Sequence, residues 1–164
     1  MNDKLEFVFL TPENLLDLDC IIKQVLTIDK KEMVFSWSAE AWRDFFINQN
    51  FLLVLAFFEK RLVGFSVGRL SFGNDFFELD KIAVCRKDRR LGAGSKIFSF
   101  LIHKLSEQML EEGKKLFNLF LELESSNTGA LAFYNKLGFF EFHRVKKYYS
   151  SGGDAIKMQK TLIL

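Results

Sequence analysis

Six consecutive residues, Arg89-Arg90-Leu91-Gly92-Ala93-Gly94, carry the most legible chemistry in this 164-residue chain. They follow an apolar run, Phe76 to Val84, that reads as a strand, and they open an amphipathic helix over Ser95 to about Glu112. A glycine-rich turn at a helix start leaves backbone N–H groups without intrahelical partners. The helix dipole adds partial positive charge there, and two arginines add full charge. Such a site suits phosphate, but two well-known phosphate patterns do not fit it. A P-loop ends in Gly-Lys-Ser/Thr, whereas Gly94 is followed by Ser95-Lys96. A dinucleotide fingerprint needs a small residue where Ile97 stands and an acid ending a second strand, whereas Glu111 and Glu112 still lie in the helix. On this stretch alone, an ordinary helix start with turn glycines stays open.

Further candidates lie on either side. Glu122 interrupts the apolar run Leu116 to Glu124, where a carboxylate is costly unless it has a task or faces water. Glu124 points to the same side by strand alternation. Tyr134 follows Asn127 by nearly two helical turns, so the two share a face; an N-cap asparagine and a core tyrosine are the plainer alternative. Glu78 and Asp80 share a face of the Phe76 to Val84 strand. Tyr148 and Tyr149 follow Lys146-Lys147 just before a Ser-Ser-Gly-Gly turn. His103 and His143 have no partner at metal spacing, and no metal is expected; Cys20 and Cys85 read as reduced, with Cys85 structural.

The elements that must position these groups follow from periodicity and turn signals. Leu5 to Leu10 reads as a first strand. Thr11-Pro12-Glu13 then starts a helix to about Thr27, with the single proline at its first position. A second helix follows the N-cap Ser38 and ends near Asn48 or Asn50. Phe51 to Phe58 and Leu62 to Ser71 form a hairpin around Glu59-Lys60-Arg61, and Gly73-Asn74-Asp75 turns into Phe76. The long helix carries Ile97, Leu101, Leu105 and Met109 on one stripe and ends at Gly113. After the Leu116 to Glu124 strand, a helix from Thr128 to Leu137 is closed by Gly138. Phe139 to Lys147 and Ala155 to Ile163 are the last strands. The pattern predicts an α/β chain, one domain over residues 1–164, with a mixed central sheet of about seven strands and helices on both faces.

Composition narrows the classes. Hydrophobic residues make up 49% and charged residues 27%, which excludes disorder. The longest apolar run, Phe51 to Phe58, is too short to cross a bilayer, and no secretory leader opens the chain, so a cytoplasmic protein without membrane partners is expected. A net charge of +2 provides no field for nucleic acid.

The order strand, Arg/Gly turn, long helix, then strand–Asn–helix–Tyr resembles the GNAT superfamily of acetyl-CoA-dependent N-acetyltransferases. Arg89 to Gly94 meets the family's Gln/Arg-x-x-Gly-x-Gly/Ala motif in full. Glu122-Leu123-Glu124-Ser125-Ser126-Asn127 and Ala132-Phe133-Tyr134 through Gly138-Phe139 look like its second half. Phe35-Ser36-Trp37-Ser38, Lys147-Tyr148-Tyr149 and Asp154-Ala155-Ile156 look like the ribosomal-protein-alanine (RimI-type) branch, so residues 35–163 are covered. The resemblance implies the GNAT fold and acetyl-CoA as co-substrate. It implies backbone N–H groups of Leu91, Gly92, Ala93, Gly94 and Ser95 on the pyrophosphate, with Arg89 and Arg90 nearby. Ile82, Ala83 and Val84 would bond the pantetheine arm and polarise the acetyl carbonyl, and Asn127 would bond the arm as well. Glu122 would be the base, Glu78 a second candidate base or an acceptor-binding group, and the Tyr134 hydroxyl the acid for the leaving sulfur. Tyr148 and Tyr149 would close over the acceptor. The amine attacks directly in such enzymes, so no side-chain nucleophile is required. The expected acceptor is a protein N-terminal amine, with a ribosomal protein as the specific expectation. A small-molecule amine, a lysine side chain, or a non-catalytic acyl-CoA-binding module are the alternatives.

Overall fold

The structure, a computed structural model, describes residues 5–71 and 76–164. Its elements run β1 (Glu6–Leu10), α1 (Leu18–Glu32), α2 (Ala39–Asn48), β2 (Phe51–Phe58), β3 (Arg61–Leu70) and β4 (Phe76–Val84). A 3-10 helix (Arg86–Leu91) follows, then α3 (Ala93–Glu111), β5 (Leu116–Glu124), α4 (Thr128–Lys136), β6 (Phe140–Val145) and β7 (Ala155–Ile163). The seven strands form one sheet in the order β1-β2-β3-β4-β5-β7-β6. Among the described residues only β4 and β5 run parallel, and α3 makes the crossover that a parallel pair requires.

Helices cover both faces, as the mixed pattern predicts. On one face Ile22, Val25 and Ile28 of α1 and Trp42, Phe45 and Phe46 of α2 share a core with Phe51, Leu53, Leu55, Phe65 and Val67. On the other face Ile97, Leu101, Leu105 and Met109 of α3 join Leu52, Val54, Phe77, Leu119 and Leu121. β2 is buried on both sides, hence its unbroken apolar run. β5 alternates instead: Phe117, Leu119, Leu121 and Leu123 are buried under α3 and α4, and Asn118, Phe120, Glu122 and Glu124 face the other way.

Two expectations need correction. The first helix starts at Leu18, not at Pro12, and runs to Glu32 rather than Thr27. Thr11 to Asn14 is a turn instead: the Asn14 side chain accepts from the Thr11 N–H at 2.8 Å and donates to the Phe9 carbonyl. Asp17 caps the helix through the Cys20 N–H. The long helix starts at Ala93, not Ser95, because Gly92 takes a left-handed conformation (φ 67°) and ends the 3-10 turn. The predicted turn Gly73-Asn74-Asp75 lies outside the described residues.

Two irregularities in β4 shape the site. Opposite β3, Val67 pairs with Lys81 but Gly68 pairs with Leu79, so Asp80 is an extra, bulged residue. Gly68 is required there, since a Cβ would collide with the Glu78 carbonyl and the Phe77 ring. The bulge reverses which side chains face which layer. Phe77 and Leu79 belong to the α3 core, while Lys81 and Ala83 turn towards α1 and α2. The second irregularity is a split. The pairing of β4 with β5 stops at Leu79 opposite Leu121, yet β4 continues to Val84 and β5 to Glu124, held only by their outer neighbours β3 and β7. A gap therefore opens between the C-terminal ends of the one parallel pair.

Candidate active site

In a sheet with parallel strands, ligands bind beyond the carboxyl ends where neighbouring strands part. Here both strands run on from the gap into helix N-termini. Along β4, Ile82, Ala83 and Val84 pair with Ser66, Phe65 and Gly64 on one edge, which turns their other backbone edge to the gap. After Val84 the chain passes through the 3-10 helix to Gly92. The first bond of α3 runs from the Lys96 N–H to the Gly92 carbonyl at 3.1 Å, so the N–H groups of Ala93, Gly94 and Ser95 precede the helix ladder. Gly92 donates its own N–H to the Arg89 carbonyl at 3.2 Å. Arg89 braces the turn rather than reaching outward: Nε donates to the Val84 carbonyl at 3.1 Å, and Nη2 pairs with buried Glu32 of α1 at 3.0 Å. The side chains of Arg90 and Leu91 lie outside the described residues. A cleft of about 660 Å³ lined by Lys31, Glu32, Cys85, Arg86 and Lys87 gives the turn a basic flank.

At the start of α4, Asn127 accepts from the Ala130 N–H at 3.1 Å and is the N-cap. Tyr134 is buried between the rings of Phe133 and Phe139, in the core layer that also holds the strand ends Val84 and Leu123. Burial pushes its phenol well above the ordinary tyrosine pKa, so the hydroxyl keeps its proton.

The opposite side of the gap gathers different groups. Glu122 is the first residue of β5 past the last pair with β4, and its side chain is 26% exposed. It accepts from the Tyr149 hydroxyl at 3.2 Å, with Lys157 Nζ at 3.6 Å. The Tyr149 ring stacks on Phe35 of the α1–α2 segment, with centroids 5.1 Å apart and planes 12° apart. Burial first, then the Glu122 charge, pushes the Tyr149 phenol up. Tyr148 stands edge-on to Tyr149 and is half exposed. Glu124 accepts from the Ser151 hydroxyl at 2.7 Å in the same β6–β7 connection.

Glu78 sits differently from Glu122. It lies in the still-paired part of β4, opposite Phe120, and Arg69 binds it at 2.7 Å and 3.2 Å. Arg69 also pairs with Asp80 Oδ1 at 2.9 Å. The other oxygen of Asp80 is buried with no hydrogen-bond partner among the described residues. Burial, opposed by Arg69, pushes the Asp80 carboxyl up to about 7. Between about pH 4, where an unfolded aspartate ionises, and pH 7 the native chain therefore holds a proton that the unfolded chain has lost. This group's contribution to stability falls as pH rises through that window and is level above it. Asp80→Asn should flatten that slope, so that urea titrations show the variant gaining on wild type from about pH 4 to about pH 7.

Four positions matter that the sequence reading did not assign. Asp29, Glu32, Arg69 and Lys81 tie the site's walls together. Two left a trace in the sequence: Asp29 stands on the apolar stripe of α1, and strict alternation from Phe77 and Leu79 would drive Lys81 into the core. His103 and His143 are exposed, Cys20 is exposed, and burial pushes the thiol of half-buried Cys85 up. Among the described residues no cluster of three metal-ligating side chains occurs.

The fold agrees with comparisons to known proteins. The sequence profile described as the Acetyltransferase (GNAT) family matches residues 22–139. N-alpha-acetyltransferase 30 of Homo sapiens is 28% identical over 138 residues, which is 82% of this chain but 36% of that protein, so the chain spans about a third of this relative's length. The ribosomal-protein-S18-alanine N-acetyltransferase of Escherichia coli superposes with a TM-score of 0.77 at 24% identity, covering 97% of this chain and 96% of the other. Arabidopsis thaliana Naa50, solved with the bisubstrate analogue CoA-Ac-MVNAL, gives 0.74 at 17% identity over 95% and 97%. With residues 22–139, most of its length, inside the family profile, the chain belongs to the GNAT acetyltransferase family.

Proposed function

We propose that the protein transfers the acetyl group of acetyl-CoA to the N-terminal amine of a protein. One observation carries this reading: Glu122, the residue of β5 just past its last pair with β4, faces away from the α3 and α4 helix starts and lies under Tyr149 and Phe35. The gap thus has two approaches, one to backbone amides and one to a carboxylate walled by aromatic rings. The names of the relatives, which are N-alpha-acetyltransferases, and the peptide analogue bound to Arabidopsis Naa50 support the choice of acceptor.

Acetyl-CoA fits the first approach and supplies the thioester that the amine attacks. The N–H groups of Ala93, Gly94 and Ser95 hold the pyrophosphate at the positive end of α3. Gly92 and the backbone of Leu91 shape that turn. Arg89 contributes by fixing the turn to Val84 and Glu32. The open edge of Ile82, Ala83 and Val84 bonds the pantetheine arm and the acetyl carbonyl. Asn127, whose carbonyl oxygen caps α4, still has its amide hydrogens to offer the arm. Glu122 takes the proton of the incoming ammonium, directly or through water, and Tyr148 and Tyr149 line the approach. Glu78 is held by Arg69 and serves the acceptor wall rather than the proton transfer. Tyr134 keeps its proton and donates to the leaving sulfur. A reducing cytoplasm suits an exposed free Cys20.

Mass spectrometry of protein N-termini, after incubation of a cell extract with the enzyme and labelled acetyl-CoA, tests the acceptor. Label confined to lysine side chains or small amines would overturn it. The cofactor is tested separately: acetyl-CoA at about 100 times its Kd should stabilise the fold by about 2.7 kcal/mol. Binding without thiol release on any amine would make the chain a binding module. Tyr134→Phe should lower kcat by roughly 10- to 100-fold with acetyl-CoA affinity kept, measured by thiol release.

A further inference from the structure

Asp29 and Lys81 form an ion pair that the proposed chemistry does not use. Lys81 Nζ lies 3.0 Å from Asp29 Oδ1, and the side chains are 3% and 0% exposed. Each also has further partners. Asp29 Oδ2 accepts from the Trp37 N–H at 2.8 Å and from Trp42 Nε1 at 3.0 Å. Lys81 Nζ donates to the Phe35 carbonyl at 2.7 Å and stands 4.7 Å from the centre of the Trp37 ring. A buried pair is weak evidence for stability, since apolar residues of like volume often serve as well. Its geometry is more telling. Every bond of the pair beyond its own ends on the segment between α1 and α2 or on the first turn of α2. Lys81 itself sits between the bulged Asp80 and the gap-lining Ile82 to Val84. Phe35, whose carbonyl the lysine holds, stacks its ring on Tyr149, and Tyr149 donates to Glu122. A continuous path of contacts therefore runs from β4 through Phe35 and Tyr149 to β5, across the acceptor approach.

We propose that the Asp29–Lys81 pair is a positioning device for the acceptor. It fixes Phe35 against Tyr149, so it governs how the acceptor peptide is held without touching acetyl-CoA. This inference rests on the acceptor reading above. The informative variant is Asp29→Asn with Lys81→Met. The amide oxygen introduced still accepts from Trp37 and Trp42, no charge is left buried alone, and only the Phe35 carbonyl loses its donor. The expected result is an acceptor KM raised about tenfold, with kcat and acetyl-CoA affinity changed by no more than about twofold. Phe35→Ala, a change at a half-exposed ring that the fold tolerates, should raise the acceptor KM likewise, and combining it with the double variant should add less than about twofold. An unchanged KM in Phe35→Ala, or full additivity, overturns the proposal. Ring-to-ring NOEs between Phe35 and Tyr149 give a readout independent of any acceptor: their persistence in the double variant overturns the positioning role. If wild type acetylates no peptide N-terminus, the acceptor reading fails while the NOE arm still decides for or against the pair.

Discussion

Glu122→Gln is expected to lower kcat by about 100-fold or more, the usual contribution of a positioned proton acceptor, while acetyl-CoA affinity stays within about twofold. The substitution keeps the side-chain volume and an oxygen that can accept from Tyr149, so the aromatic wall over the site survives it. What disappears is the group able to take the ammonium proton. The residual rate should then climb with pH, because bulk base must supply the neutral amine. Thiol release from about pH 6 to about pH 9, with acceptor peptide in excess, measures this. Unchanged turnover across that range would move the base to Asp80, Glu78 or water. Asp80 is the stronger of those rivals, with an oxygen that has no partner among the described residues and a carboxyl that burial pushes up to about 7, whereas Glu78 is bound twice by Arg69.

Much of this arrangement was legible in the residues, and the parts that were not share a cause. β4 and β5 begin and end where their apolar runs do, because each is central in the sheet and its burial pattern is set by neighbours on both edges. The Ser38 cap and the Asn127 cap were readable because capping is local. The first helix was misplaced for an equally local reason: Pro12 favours a helix start, but Asn14 bonds the backbone on both sides and holds a turn. The split between β4 and β5 and the bulge at Asp80 depend on strand pairing, which leaves no signature within one strand. The Asp29–Lys81 contact joins residues 52 apart in sequence, so only its symptom was visible: a lysine in phase with core residues. Arg89 shows the same limit. Its place in the phosphate turn was clear, but its engagement by Glu32 required knowing that α1 ends beside the turn.

Lys81→Met alone should be the most destabilising single change at the site. It removes the one cation paired with Asp29 among the described residues, and leaves the fully buried carboxylate with its hydrogen bonds from Trp37 and Trp42. Breaking a buried pair by deleting one partner costs about 3–5 kcal/mol, because the remaining charge is stranded away from water. For a chain of this length that corresponds to a fall in Tm of very roughly 10 °C. Adding Asp29→Asn should return most of the lost stability at neutral pH, as measured by urea or thermal unfolding. A single variant as stable as wild type at pH 7 would mean that water reaches Asp29, and that the pair is not sealed between α1 and β4. Equal losses in the single and double variants would instead assign the cost to the lysine stem and its contact with the Trp37 ring.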